Sequence, residues 1–256
     1  MGRGFESRLP LQSTYHNALD RAPRSSRALL CARACAARGE ISVTHLYLIR
    51  HGHYQDVVDG IFHDGALTPR GIAQAERLRD RLATSGEIPA DILLASTLVR
   101  AQQTAEIIAP ALRLPIVADA DLEEWRNEDG IIGPEEFLGL VRTTPEDQQA
   151  FLEIRPGLET RAAFLLRAAS ALHRLIRDHS GQRIAIVCHG GVVEASFILF
   201  FGLSPFEFPR VYLDVGYTSI THWRLDPPAG LPSRWTLDRF NDTAHLVGLR
   251  DGPPIP

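Results

Sequence analysis

Two arginines and two histidines stand where this sequence passes from apolar runs into polar turns. Arg50 and His51 close the run His45-Leu46-Tyr47-Leu48-Ile49, and Arg100 opens a helical stretch just after Asp91-Ile92-Leu93-Leu94-Ala95. His189 follows Arg183-Ile184-Ala185-Ile186-Val187-Cys188 and is trailed by Gly190-Gly191. Short apolar runs bounded by turn signals read as buried strands. In an open parallel sheet, ligands bind along the rim formed by the carboxyl ends of the strands. Two guanidinium groups on that rim present planar forks matched to phosphate oxygens, which a lysine would not imitate. An imidazole between them supplies a nitrogen nucleophile toward phosphorus.

The elements needed to position these residues follow in a regular alternation. After the first strand comes a loop, then Leu67-Thr68-Pro69-Arg70-Gly71, with Thr68 as N-cap and Pro69 at the first helical position. Ala75, Leu78 and Leu82 recur at helical spacing. A strand over 91–95 leads into a helix ending near Ala111, and Pro115-Ile116-Val117-Ala118 reads as a third strand. Residues 121–156 are acidic, carry several Gly and Pro, and read as an irregular insertion over the rim. A long amphipathic helix from about Leu158 to Asp178, the 183–188 strand and an apolar helix from Gly191 come next. Tyr217 to Leu225 and Trp235 to Phe240 read as two late strands. This pattern predicts an α/β three-layer sandwich, with a mostly parallel central sheet, helices on both faces and a lid-like insertion.

Composition narrows the chemistry. The chain has 256 residues, 45% of them hydrophobic and 23% charged, with a net charge of −4. That balance is ordinary for a globular protein and gives no basic stripe for nucleic acid. No apolar run reaches the length of a membrane span. All 27 basic residues are arginine. Without lysine, a P-loop nucleotide hydrolase and Schiff-base or pyridoxal phosphate catalysis are excluded. Cys31, Cys35 and Cys188 form an odd set that argues against a disulfide framework and for a reducing cytoplasm. Cys188 reads as a small buried strand residue, its side chain alternating away from that of His189.

Residues 1–42 stand apart from the domain expected over 43–256. They hold seven arginines against three acids and show no sustained periodicity. A transit peptide fits that composition, whereas a secretory signal does not, because its apolar core would be cut by Arg33. A third reading is preferred. Gly4-Phe5-Glu6-Ser7-Arg8 resembles a translated transfer-RNA gene arm, and Val43 suits a GTG start, so the expectation is a disordered or mis-assigned leader.

Leu48-Ile49-Arg50-His51-Gly52, Leu67-Thr68-Pro69-Arg70-Gly71, the run from Ser96 to Ala105 containing Arg100, and Val187-Cys188-His189-Gly190-Gly191 occur in that order. Together they resemble the signature set of the histidine phosphatase superfamily, also called phosphoglycerate mutase-like, over roughly residues 43–246. The resemblance implies that His51 attacks phosphorus, with Arg50, Arg100, His189 and Gly190 holding the phosphate and His189 sharing in catalysis. Arg50 and Arg100 should disfavour the charged ring, and the start of the Arg100 helix should add backbone N–H groups. A Leu-x-Glu pattern places the general acid/base on Glu124 after Leu122, with Glu123 as second choice. Phosphate, Asp121 and Glu123 should favour its protonated form. No cofactor and no metal are implied.

The chain also departs from the family pattern. His53-Tyr54 replaces the usual Glu or Gln followed by Thr or Ser, and the Trp, Asn and lysine grips of the glycolytic mutases are missing. A phosphatase, which has only to admit water, is therefore favoured over mutase-type phosphoryl transfer, with a non-catalytic phospho-ligand binder as a further alternative. Tyr54 points toward a branch that includes a mitochondrial serine/threonine protein phosphatase. The expected partner is a phosphorylated small molecule, with a phosphoprotein left open and a homodimer admissible. A metal hydrolase built on His51, His53, His63 and Asp64 is a rival, opposed by the repulsion that Arg50 and Arg100 would exert on a cation. Trp125, Phe137 and Phe151 are expected to shape the lid. The tail Asn241-Asp242-Thr243-Ala244-His245-Leu246 has no chemical role at this level and reads as a closing contact.

Overall fold

The protein is described here by a computed structural model covering residues 42–126, 132–207, 211, 213–226 and 233–249. The expectations for a leader over 1–42 thus fall, Ser42 excepted, outside the described residues. Six strands form the main sheet: β1 (Thr44–Arg50), β4 (Ile92–Ala95), β5 (Ile116–Ala118), β6 (Arg183–Cys188), β7 (Ile220–Asp226) and β8 (Arg234–Asp242), in the order β5-β4-β6-β1-β7-β8. β1, β4, β5 and β6 run parallel, and β7 and β8 add an antiparallel edge.

Side chains alternate across β1 and fill two cores. Leu46 and Leu48 face one layer, where they pack with Leu165, Leu172 and Val192. That layer is α4 (Arg161–Asp178) and α5 (Gly190–Phe201). Tyr47 and Ile49 face the other, with Leu78 and Leu82 of α1 (Pro69–Ser85) and Ile108 of α2 (Val99–Leu112). Strands buried on both faces are apolar throughout rather than alternating. Among the described residues, no helix is long and apolar enough to cross a membrane.

Helix α1 starts where the sequence places it. Thr68 Oγ1 accepts the Gly71 N–H at 3.2 Å, and Pro69 fills the first helical position. Gly71 also allows a close backbone crossing, since a β-carbon there would lie 2.0 Å from the His53 carbonyl oxygen. The chain leaving His51 is thereby laid directly on the start of α1.

Two segments are more ordered than the sequence reading. The loop after β1 contains a small hairpin, β2 (Val57–Val58) with β3 (Ile61–Phe62), turned by Asp59 and Gly60 at φ 52° and 78°. The insertion over 121–156 is not irregular throughout. It carries α3 (Pro134–Thr143), with Pro at its start, Glu135 and Glu136 in its first turn and Arg142 in its last. These charges complement the helix dipole.

Candidate active site

Parallel pairing of β1 with β6 sets Arg50 opposite Cys188, so His51 and His189 leave adjacent strands side by side. Their ring centroids lie 5.0 Å apart. The His51 N–H donates to the Cys188 carbonyl at 2.9 Å, and the Thr218 N–H donates to the His51 carbonyl at 3.2 Å. The Arg50 N–H donates to the Ser219 carbonyl at 3.2 Å. This corner is thus pinned by β6 on one side and by the segment 214–219 on the other.

Hydrogen-bond partners assign the His51 tautomer. His51 Nδ1 lies 2.7 Å from the Gly52 carbonyl oxygen, an acceptor only, so it carries the proton. The lone pair then sits on Nε2, which accepts from Arg100 Nε at 3.1 Å. His189 Nε2 lies 2.8 Å from Ser96 Oγ, which already accepts the Leu98 N–H at 3.3 Å. The other ring nitrogen of His189, Nδ1, is buried and has no partner among the described residues. Burial first, then Arg100, holds both imidazoles well below the usual histidine range. His51 is 2% exposed and uncharged at neutral pH. Its environment provides what a nitrogen nucleophile needs: a neutral ring with a fixed lone pair.

The arginines face this corner. Arg100 is 4% exposed, pairs with Asp64 and lies 4.4 Å over the Tyr54 ring. Arg50 donates to the Val215 carbonyl and lies 4.0 Å over the Tyr217 ring, while its buried Nε has no hydrogen-bond partner among the described residues. Gly190 abuts it, since a β-carbon there would stand 3.8 Å from Arg50 Nε. Among the described residues, no side chain caps the start of α2. Among the described residues, Arg50 Nε and His189 Nδ1 are thus buried polar atoms without partners in the corner that holds the unprotonated His51 nitrogen. Leaving such atoms unpaired is costly, and an anion would satisfy the arginine donor.

Glu124 is held by backbone. The Gly191 N–H donates to Oε2 at 3.0 Å and the Trp125 N–H to Oε1 at 3.0 Å. A β-carbon at residue 191 would approach Glu124 Oε1 to 2.2 Å, which explains the second glycine after His189. Arg167 donates to the carbonyls of Asp121, Glu123 and Glu124 at 3.0–3.1 Å and fastens this segment to α4. Glu123 is turned away, toward Thr97 and Arg126. Asp121 bonds Arg174 at 3.2 Å. The expected crowding of Glu124 by Asp121 and Glu123 is therefore corrected, because both neighbours are neutralised by their own arginines.

Other expectations are redrawn. Asp64, weighed as a metal ligand, is an ion-pair partner of Arg100, and His53 Nδ1 lies 2.9 Å from Thr68 Oγ1. Among the described residues, no group of three or more histidine, cysteine or acidic side chains is arranged to hold a metal. Trp125 and Phe137 meet edge to face at 6.0 Å, and Phe137 meets Phe62 at 6.4 Å. Phe151 sits apart, stacked on Phe206 and 51% exposed. Ser96 and Tyr217 are site residues that sequence reasoning missed, and Asp64 entered it in a different role. Ser96 opens the motif that contains Arg100, but only its contact with His189 reveals its purpose. Cys188 lies in the core with a thiol pushed up by burial.

Residues 46–243 match the histidine phosphatase superfamily (branch 1), and the chain belongs to it. It is 32% identical over 213 residues to the serine/threonine-protein phosphatase Pgam5, mitochondrial, of Drosophila willistoni, covering 80% of this chain and 67% of that one. It is 28% identical over 220 residues to phosphoglycerate mutase-like protein 4 of Arabidopsis thaliana, covering 81% and 89%. Among solved structures, Bacillus stearothermophilus YhfR superposes with a TM-score of 0.62 at 26% identity, over 79% of this chain and 99% of that one. The protein is thus a phosphatase or mutase-type enzyme of this superfamily.

Proposed function

We propose that the protein hydrolyses phosphate monoesters through a phosphohistidine on His51. The carrying observation is the His51 ring itself: Nδ1 fixed on the Gly52 carbonyl and Nε2 unprotonated beside two arginines. The phosphate binds between Arg50 and Arg100, with His189 as a further donor and Gly190 alongside. His51 Nε2 attacks phosphorus, the P–O bond to the alcohol breaks, and Glu124 gives the departing oxygen its proton. Water then attacks phosphorus, the P–Nε2 bond breaks and Glu124 takes the water's proton, releasing inorganic phosphate and neutral His51. Dividing the displacement this way requires no metal.

Hydrolysis is preferred to mutase transfer because the chain has no lysine and lacks the Trp and Asn grips that retain a dephosphorylated intermediate. The substrate is proposed to be a phosphorylated small molecule. A phosphoprotein is the second reading, favoured by the name of the Pgam5 relative. A cytoplasmic location and a homodimer belong to the same proposal, the former resting on the odd set of three cysteines.

Rapid quenching with a radiolabelled aryl phosphate tests the reading. Acid-labile label on the His51 peptide, absent in His51→Ala, is the expected result. Turnover without a labelled intermediate, or undiminished turnover in His51→Ala, would overturn it. Product analysis with phosphoglycerate isomers separates hydrolysis from transfer.

A further inference from the structure

The tail that carried no chemistry in the sequence grips the segment on which the phosphate site rests. Asn241 reads both edges of that segment, with Oδ1 accepting the Gly216 N–H at 2.7 Å and Nδ2 donating to the Asp214 carbonyl at 2.8 Å. Between these two anchors lies Val215, whose carbonyl receives the Arg50 guanidinium. Two residues on, Tyr217 underlies the same guanidinium. Thr218 then bonds His51 through its N–H at 3.2 Å. Thr218 has φ 55°, a left-handed conformation that a β-branched residue adopts only when its surroundings impose it. Its hydroxyl donates to the Tyr217 carbonyl at 2.8 Å and accepts from His245 Nε2 at 2.9 Å.

The tail is itself fastened to the scaffold. Asp242 takes both terminal nitrogens of Arg81 at 2.7 and 3.0 Å, and Arg239 lies 3.2 Å from the same carboxylate. Arg81 also pairs with Glu87 at 2.5 Å. A rigid chain of contacts therefore runs from α1 through Asp242 and Asn241 to the segment 214–219, and from there to Arg50 and His51.

We propose that Asn241 and His245 are positioning residues for phosphate binding, acting through the segment 214–219 on Arg50 and His51. The proposal rests on the reading of Arg50 as a phosphate ligand. Neither residue touches the phosphate. Asn241 fixes where the Val215 carbonyl holds Arg50, and His245 maintains the strained Thr218 that anchors His51. Small misplacements of such groups commonly cost up to about 100-fold.

Asn241→Gly keeps the left-handed backbone, φ 52°, and removes only the amide. Binding of orthovanadate to the full chain is measured by calorimetry alongside turnover of an aryl phosphate. The expected result is vanadate binding weakened roughly 10-fold, with thermal unfolding still cooperative. In an Arg50→Ala background the same substitution should add less than about twofold, because partners in one chain of contacts are not additive. His245→Gln, which retains a donor toward Thr218, should bind within about threefold of the parent, whereas His245→Leu should lose about as much as Asn241→Gly. Equal losses with and without Arg50, unchanged binding in a folded Asn241→Gly, or no difference between the two His245 variants would each overturn the inference. Failure of the parent to bind vanadate at all would remove both this inference and the phosphate site. Normal binding without a phosphohistidine would remove only the proposed mechanism.

Discussion

The two ends of β1 each carry a histidine pair, and only one pair is equipped for chemistry. At the start of the strand, His45 Nδ1 and His222 Nε2 face each other at 2.9 Å, stacked along Tyr47, and His222 Nδ1 lies 3.8 Å from Asp238. At the other end, about 20 Å away at the usual strand rise, His51 and His189 do not bond each other. Burial, the foremost cause in every case, lowers the basicity of all four rings, that of His222 to about 4. A lowered pKa therefore records burial at both ends. What distinguishes the rim is unmet capacity, since His45 and His222 bond each other while buried His189 Nδ1 and Arg50 Nε have no partner among the described residues.

The sharpest way to break this comparison is to remove one ring from each pair. His51→Ala should lower kcat by about 10⁴-fold or more, as loss of a nucleophile does elsewhere, whereas His45→Ala should alter kcat/KM less than about threefold. A comparable loss in both would erase the distinction. Arg100→Lys keeps the charge but loses the Nε donor and the fork, and should cost about 100-fold to 1,000-fold in kcat. Glu124→Gln should slow aryl esters with poor leaving groups by roughly 100-fold and good leaving groups much less. A uniform loss across leaving groups would deny it the proton-transfer role.

The smallest expected effect is on stability. His222 and His245 sit at about 4 in the folded protein against a reference value of 6.5. A depressed histidine pKa means that the unfolded chain binds protons more readily. Stability should thus be level above pH 6.5 and decline as pH falls toward 4. Urea midpoints at several pH values measure this decline. His222→Phe, which preserves the stack on Tyr47, should flatten part of it without changing turnover.

The sequence made the framework legible because buried parallel strands announce themselves as continuous apolar runs, and the end of each run located Arg50, His51 and His189. The Thr68-Pro69 helix start was equally readable from capping chemistry. Two local signals went unused: Asp59-Gly60 between apolar pairs is a hairpin turn, and Gly133-Pro134-Glu135-Glu136 is a helix start. Other features had no local signature. The pairing of Asp64 with Arg100, the Ser96 contact with His189 and the grip of Asn241 on Gly216 all depend on which strands are neighbours. The same tertiary pairing turned Asp121 and Glu123 away from Glu124.

The register of β1 on β6 also dictates when activity can appear during folding. More than half the chain lies between His51 and His189, yet they become neighbours only when Arg50 settles opposite Cys188. A slip of one residue would turn an entire strand inside out. Helices α1 and α4 are local and form fast, whereas this closure is distant and slow. In a refolding time course, catalysis should therefore return after the helical signal, making turnover a gauge of the central pairing.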